Sequence, residues 1–306
     1  MTPNPALDIT YRLADWRLHA VNRVATVEER PGGKGVNVAR LLAAHDVPAT
    51  VHGFCGGTSG HRLTTLLHEF APGLEQRWTE ADVETRRTIA VVDAHDTTMF
   101  NEPGDPVTDR DWAGLIDQLA QSCAPGDVVT VSGSLPQGSS PDRLSELVQA
   151  VRGKGALIVV DTSGPALLAA SAAGAHVLKP NHHELAEVTE TNSIGQGITA
   201  LLNHGAVAVL VSRGADGLVL GTAEASHSAR LDRPLTGNPT GAGDAVVAAV
   251  AAGLVSDDRA PVADRLLAAL PSAVAWSAAA VLAPVAGEMD LDRAAELIRS
   301  VTVKER

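Results

Sequence analysis

Residues 126–164 read GDVVTVSGSLPQGSSPDRLSELVQAVRGKGALIVVDTSG. The segment opens with a short apolar run and a glycine turn, and closes with a second apolar run, ALIVVD. Between them the spacing predicts a helix, with Ser140 as N-cap, Pro141 at the first position and Gly153 near the end. Two continuous apolar strands joined by a helix form a parallel crossover unit, buried on both faces. The pattern repeats outward: PALLAASAAG as helix, AHVLKPN as strand, HHELAEVTE as helix, AVAVLVSRG as strand. Repeated alternation predicts an α/β sandwich with a mostly parallel central sheet.

The flanking segments read differently. GGKGVNVARLLAAHDVPATVHGFCGG gives a helix and then a strand. VNRVATVEER and TRRTIAVVDAHDTTMFNEPG alternate polar and β-branched residues, as antiparallel strands with one wet face do. They predict a small sheet projecting from the body, either a lid or a plain edge extension. Its strands fall at about 10–30 and 84–103, interleaved with the body, so residues 1–306 are expected to form one unit. From Gly241 onward the chain reads as Ala-rich helix.

The 306 residues are 45% hydrophobic and 20% charged, as in a globular protein. No apolar run is expected to reach the roughly 18 residues of a membrane span, the nearest being Ala245–Val255. No signal peptide is evident. Cys55 and Cys123 have neither disulfide-framework nor metal-ligand spacing, so a reducing cytoplasm is expected. A net charge of −12 argues against nucleic acid as a partner. Any cation that holds an anionic ligand must then be local. Lysine is scarce, and Lys34 and Lys179 both fall inside Gly- or Asn-rich motifs.

Ligands of open parallel sheets bind beyond the carboxyl ends of the strands. Polar and Gly-rich clusters follow the predicted strands there: SGSLP at 132–136, DTSG at 161–164, KPNHHE at 179–184 and SRGADG at 212–217. The strongest motif is NPTGAGD. Gly241, Ala242 and Gly243 open a helix whose free amides and dipole would hold a phosphate. Asp244, in the same turn, is suited to accept a hydroxyl proton during attack on that phosphate. The dipole there favours its ionised form. The same residues also fit a helix start in which Asp244 only complements the dipole. PGGKGVN is neither a P-loop nor a dinucleotide fingerprint, which sets aside a Rossmann dehydrogenase. Gly32 and Gly33 offer bare backbone, and Lys34 and Asn37 a cation and an amide, or the four form a plain Gly-rich helix start. Asp8 follows a turn-rich start. Alternation sends Arg86 and Arg87 to opposite faces. The neighbouring His182 and His183 do not suit one metal.

TPNPALD, PGGKGVNVA, TRRTIAVV, NEPG, VSGSLP, KPNHHE, SRGADG and NPTGAGDA occur in the order found in the PfkB, or ribokinase-like, carbohydrate kinases. The chain resembles that family from residue 2 to about 285. NPALD, SGSLP and NEPG resemble the branch acting on phosphorylated hexoses. The resemblance implies a ribokinase-like three-layer sandwich with a small β lid. It implies phosphoryl transfer from ATP with Mg²⁺, foremost to fructose-1-phosphate, giving fructose-1,6-bisphosphate. A tagatose-6-phosphate kinase, a kinase of an unphosphorylated sugar or nucleoside, and a non-catalytic binding regulator are the alternatives. Asp244 matches the catalytic base, and Gly241, Ala242 and Gly243 the anion hole. Asp8, Gly32, Gly33 and Asn37 match sugar contacts, and Lys34 and Arg86 positions near the sugar's phosphate. Ser132 and Ser134 lie in a loop facing the sugar. Lys179, Asn181, Ser212, Gly214, Gly217 and Asn238 match the nucleotide region, and Glu184 the metal position. A homodimer through the lid is implied. Three departures stand out. Only Met1–Pro3 precede Asn4, where the family has a full strand. Val21 replaces a lid lysine, leaving Arg23 as the phosphate contact. Arg213 replaces an apolar residue.

Overall fold

The computed structural model describes residues 1–233, 235–256, 260–283 and 285–306. The first third runs β1 (Ala6–Arg12), β2 (Thr26–Gly32), α1 (Lys34–Ala44), β3 (Thr50–Cys55), α2 (Gly57–Phe70), β4 (Glu75–Glu80), β5 (Arg86–Val92) and β6 (Thr97–Asn101). The middle runs α3 (Asp109–Ser122), β7 (Val128–Ser132), α4 (Asp142–Arg152), β8 (Leu157–Asp161), α5 (Pro165–Ala172), β9 (Val177–Leu178), α6 (His182–Thr189), α7 (Ile194–His204) and β10 (Ala208–Ser212). Then come β11 (Leu218–Thr222), β12 (Ser226–Leu231), α8 (Ala242–Ser256), α9 (Val262–Leu282), α10 (Leu291–Ile298) and β13 (Val301–Glu305).

The large sheet has the order β13-β12-β11-β10-β9-β8-β7. β7 to β10 pair in parallel, and β10 to β13 form an antiparallel meander. Its last strand, β13, departs from the expectation that the chain from Gly241 onward is helical. Pleating divides the sheet's apolar residues between two cores. Val159, Ala208 and Leu210 join α1, α8 and α9 on one face. Ile158, Val160, Val209 and Val211 join α3, α4, α5 and α7 on the other. Full burial of such a side chain contributes about 1.5–3 kcal/mol, so two filled faces hold the three layers together.

The N-terminus extends this sheet. Met1 N donates to Thr130 O (2.6 Å), Ser132 N to Met1 O (3.1 Å) and Thr2 N to His52 O (2.8 Å). Residues 1–2 thus occupy a strand's place between β7 and the parallel β3–β4 pair.

A separate four-stranded sheet has the order β2-β1-β5-β6. Its outer pairs are antiparallel, as expected, but β1 and β5 run parallel. Residues 13–25, inside the stretch expected to be strand, connect β1 to β2 without regular structure beyond turns.

Two local expectations change. The α4 N-cap is Pro141, and Ser140 Oγ accepts from Asp142 N at 3.2 Å. The expectation of no membrane-length apolar run fails for Val262–Leu282, which is long and apolar enough to cross a bilayer. In the fold this helix, α9, packs against α8 and the meander, with Ala273, Ala275 and Ala279 fully enclosed. Small residues permit that approach: a Cβ at Gly253 would press on Ala269.

Candidate active site

Beyond the carboxyl ends of the parallel strands lies a cavity of about 760 Å³, lined from both sheets and from the α8 N-terminus. Its inner wall is built from strand ends and helix starts. Lys179 follows β9, Asp161 ends β8, and α1 begins at Lys34. Gly33, the N-cap of α1, has φ 101°, a conformation open to glycine and strained for a side chain. Lys34 Nζ and Lys179 Nζ both lie 3.3 Å from Asp161 Oδ1. Asp161 Oδ2 is buried and has no hydrogen-bond partner.

The α8 helix starts at Ala242, and Asp244 lies in its first turn. Asp244 is 5% exposed, and its Oδ2 accepts a 2.9 Å hydrogen bond from Asn37 Nδ2. Burial, and secondarily the charge of Asp161, push its carboxyl up to about 7, against the opposing pull of Asn37, Lys34 and Lys179. This corrects the expectation that the helix dipole keeps it ionised: desolvation disfavours charge more strongly here. The group is therefore poised to exchange a proton near neutral pH. Burial also works against the Lys34 ammonium, but Asp161, Asp244 and Glu184 outweigh it and raise its pKa.

Three amides were expected to be free to hold an anion here. Ala242 N already donates to Pro239 O (3.2 Å), which leaves the Gly241 and Gly243 amides. A Cβ on Gly243 would stand 3.5 Å from Lys179 Nζ, so the bare backbone and the ammonium face one spot.

One end of the cavity belongs to the small sheet. Asp8, Arg86, Thr88 and Met99 line it, next to Gly33 and Asn37. Burial raises the Asp8 carboxyl to about 6, with Arg86, Thr88 and Arg40 pulling the other way. Arg86 is held by Asn4 O (3.2 Å) and Glu102 O (3.1 Å), and burial lowers its pKa. Arg87 pairs instead with Glu102 on the exposed side, as alternation requires. The other end is an apolar slot of Leu218, Leu231, Leu235, Val246, Val274 and Val281. Ser212, Gly214 and Gly217, from the β10–β11 turn, border it. An apolar slot, a central cationic strip and a polar pocket in sequence suit a base, its phosphates and a hydroxylated acceptor.

Several expected residues lie elsewhere. Ser132 ends β7 fully buried, its Oγ without a partner, because the strand runs one residue further than the loop reading required. Ser134 Oγ accepts from Asn4 Nδ2 (3.3 Å) outside the cavity. Arg23 sits exposed on the 13–25 connection, not in the cavity. Gly32 touches no cavity surface, but a Cβ there would overlap the Asp8 carboxylate. Asn238 lies just ahead of the cradle, where its Oδ1 accepts from Thr240 N (3.0 Å) and shapes the turn. Asn181 and Glu184 do line the cavity. Yet Glu184 Oε2 accepts from Asn181 N (2.8 Å), and Asn181 Oδ1 accepts from the His183 and Glu184 amides. The expected metal ligand is thus half committed to a capping box. Among the described residues no group of three or more His, Cys, Asp or Glu could hold a metal by itself. His182 and His183 are the exposed first residues of α6.

The sequence reading missed two features. Asp161 was legible only as a polar strand end, although it ties the two cavity lysines together. Arg40, 7% exposed, pairs with Glu288 (3.3 Å) and donates to Ala286 O (3.5 Å). Arg30 reaches the same Glu288 oxygen at 2.5 Å, clamping the 286–288 segment to α1 and β2. No local motif announces that clamp, since its partners are 248 and 258 positions apart.

Known proteins share this architecture. Residues 1–292 match the pfkB family of carbohydrate kinases. The chain is 35% identical over 282 residues to the 1-phosphofructokinase of Bacillus subtilis (strain 168), covering 90% of this chain and 92% of that protein. The crystal structure of phosphofructokinase-2 from Escherichia coli in complex with potassium superposes with a TM-score of 0.88 at 26% identity, covering 97% of this chain and 96% of that one. The Arabidopsis thaliana ribokinase complexed with ribose and ATP shares the fold alone, at TM-score 0.71 and 18% identity, with 97% of each chain covered. The fold is ribokinase-like, and the chain belongs to the pfkB family of ATP-dependent carbohydrate kinases.

Proposed function

We propose that the protein transfers the γ-phosphoryl group of ATP to a hydroxyl of a phosphorylated hexose, foremost fructose-1-phosphate, forming fructose-1,6-bisphosphate and ADP. The observation that carries this reading is the buried Asp244 carboxyl. It is oriented by Asn37 and sits beside two glycine amides and Lys179, between an apolar slot and a polar pocket.

Asp244 takes the proton of the acceptor hydroxyl as that oxygen bonds to the γ-phosphorus and the bond to the ADP oxygen breaks. The proton then leaves from Asp244 to solvent. The Gly241 and Gly243 amides, with Lys179, hold the charge on the phosphoryl oxygens, so positioning and electrostatics supply most of the rate. Asp8 accepts hydrogen bonds from sugar hydroxyls. Arg86 and Lys34 offer cations to the sugar's own phosphate, which supports a phosphorylated acceptor over a free sugar. Mg²⁺ typically takes one or two carboxylates plus phosphate oxygens. The unpartnered Asp161 Oδ2 and the neighbouring Glu184 fit such a metal, which would neutralise charge between the nucleotide's phosphates.

The small sheet and its 13–25 connection expose Leu18 (70%), Val21 (87%), Val27 (58%) and Phe100 (51%). This apolar surface supports a homodimer through the lid, and residues 1–306 then act as one catalytic unit per protomer. Cys55 and Cys123 are free thiols, in keeping with a cytoplasmic protein.

The test is a turnover screen with Mg·ATP against fructose-1-phosphate, fructose-6-phosphate, tagatose-6-phosphate and the free sugars. Fructose-1-phosphate should give the highest kcat/KM. A preference for tagatose-6-phosphate would reassign the acceptor, and a free sugar as best substrate would overturn the role of Arg86. Light scattering should report a dimer, which Phe100→Glu weakens.

A further inference from the structure

The antiparallel end of the large sheet carries a second concentration of charge. Ser228 pairs with Lys304 and Arg230 with Thr302 across β12 and β13. Opposed residues share a face, as do residues two apart along a strand. Ser228, Arg230, Thr302 and Lys304 therefore lie on one side, and Arg306 continues it. Ala229 and Val303 turn to the other side, into the core beneath α9. Arg213 reaches the same side from the β10–β11 turn, held by a 2.6 Å bond from its Nη2 to Asp216 O. These residues line a hollow of about 200 Å³.

The charges are unbalanced. Arg213, Arg230, Lys304 and Arg306 face Asp216 and Asp232, and Asp232 already accepts from the Thr302 hydroxyl at 2.7 Å. Among the described residues none of the four cations forms an ion pair. The buried Nε of Arg213 has no acceptor. In a chain of net charge −12, such a local excess of cations repels itself and is relieved by an anion. Planar guanidinium groups match phosphate geometry in particular.

We propose that this hollow binds a phosphoryl group, as inorganic phosphate or as the phosphate of a small metabolite, and that its occupation steadies the β10–β11 turn bordering the nucleotide slot. The volume admits a phosphate or a compact phosphate ester. The link to the slot is short. Arg213 stands between Ser212 and Gly214, which both line the catalytic cavity, and its N–H closes the turn on Gly217 O at 2.9 Å. An anion that fixes the Arg213 guanidinium fixes the wall against which ATP packs. This also assigns a role to Arg213, the residue that departs from the family's apolar choice.

The binding half of this proposal is independent of the kinase reading, and the coupling half rests on it. The experiment is equilibrium dialysis of inorganic phosphate at constant ionic strength, with the catalytic cavity saturated by a non-hydrolysable ATP analogue. It compares the wild-type chain with Arg230→Ser/Lys304→Ser. The wild type should bind one phosphate per chain at this hollow, beyond any held by Arg86 and Lys34 in the open acceptor pocket. The double variant should bind at least tenfold more weakly, with unchanged circular dichroism and unchanged turnover at saturating substrates. Raising phosphate should lower the KM for ATP in the wild type and not in the variant. Equal phosphate binding by both proteins overturns the site, as does preferential binding of an oligonucleotide over phosphate. Phosphate binding with an unmoved KM for ATP overturns the coupling. A chain without turnover on any acceptor would defeat the kinase reading while leaving the dialysis result standing.

Discussion

Asn37 and Asp244 lie 207 positions apart, and their side chains meet in a 2.9 Å hydrogen bond that joins the first turns of α1 and α8. The bond holds the carboxylate by its Oδ2 oxygen at the wall of the cavity. It also favours the charged form of a group that burial drives toward neutrality.

Asp244→Asn should lower kcat by about 10²–10⁴ while the Kd for ATP stays within a factor of a few. Rapid-quench turnover and nucleotide titration measure the two separately. An Asn variant of near-normal turnover would remove Asp244 from the chemistry.

With a folded pKa of about 7, Asp244 gives kcat/KM a limb that rises with pH and levels off above that value. The same shift affects stability. Between the ordinary 3.8 and about 7 the folded protein keeps a proton that the unfolded chain releases. Stability from this group is thus fully present below about 3.8 and lost as pH rises to about 7. Asp244→Asn should therefore stabilise the fold at pH 8, by up to about 4 kcal/mol, and leave it unchanged near pH 4. Urea denaturation at both pH values reads the difference.

Removing the amide at position 37 separates orientation from bulk acidity. Asn37→Ala deletes a bond that lowers the Asp244 pKa, so the rising limb of kcat/KM should move to higher pH. A profile that falls in height without moving would show that Asn37 acts only on the acceptor.

Arg86→Ala should raise the KM for a phosphorylated hexose about 10–100-fold, the loss expected for one charge-assisted hydrogen bond. The KM for the matching free sugar should hardly change. Equal losses on both would show that Arg86 does not meet the phosphate.

Gly32→Ala places a methyl group where the Asp8 carboxylate lies. Displacing that carboxylate should weaken acceptor binding, leave ATP binding intact and cost about 1–3 kcal/mol of stability. Melting curves with each ligand added singly test the asymmetry.

The middle of the fold was readable because its strands are continuous apolar runs between helical periods, as in ALIVVD before Asp161 and AVLVS before Arg213. β1 was not, because Pro3 and Pro5 make its approach read as a turn. β13 was hidden because VTVKE is short and follows a long helical stretch. In the site, the motifs marked Asn37 and Asp244 each as a residue of a helix's first turn, but their hydrogen bond, across 207 positions, was not legible. Asp161 did not declare itself. One carboxylate after a strand is ordinary, and its importance arises only when Lys34 and Lys179 arrive from elsewhere. Ser132 misled for the converse reason: a serine before glycine reads as loop, yet here it completes a buried strand.

The four-stranded sheet shares no strand pairing with the larger one, yet it delivers Asp8, Arg86, Thr88 and Met99 to the cleft. On the function proposed above, acceptor choice is housed largely apart from the machinery around Asp244. Grafting residues 6–32 and 86–101 from a relative of different sugar preference would re-address the enzyme while keeping its phosphoryl chemistry in place.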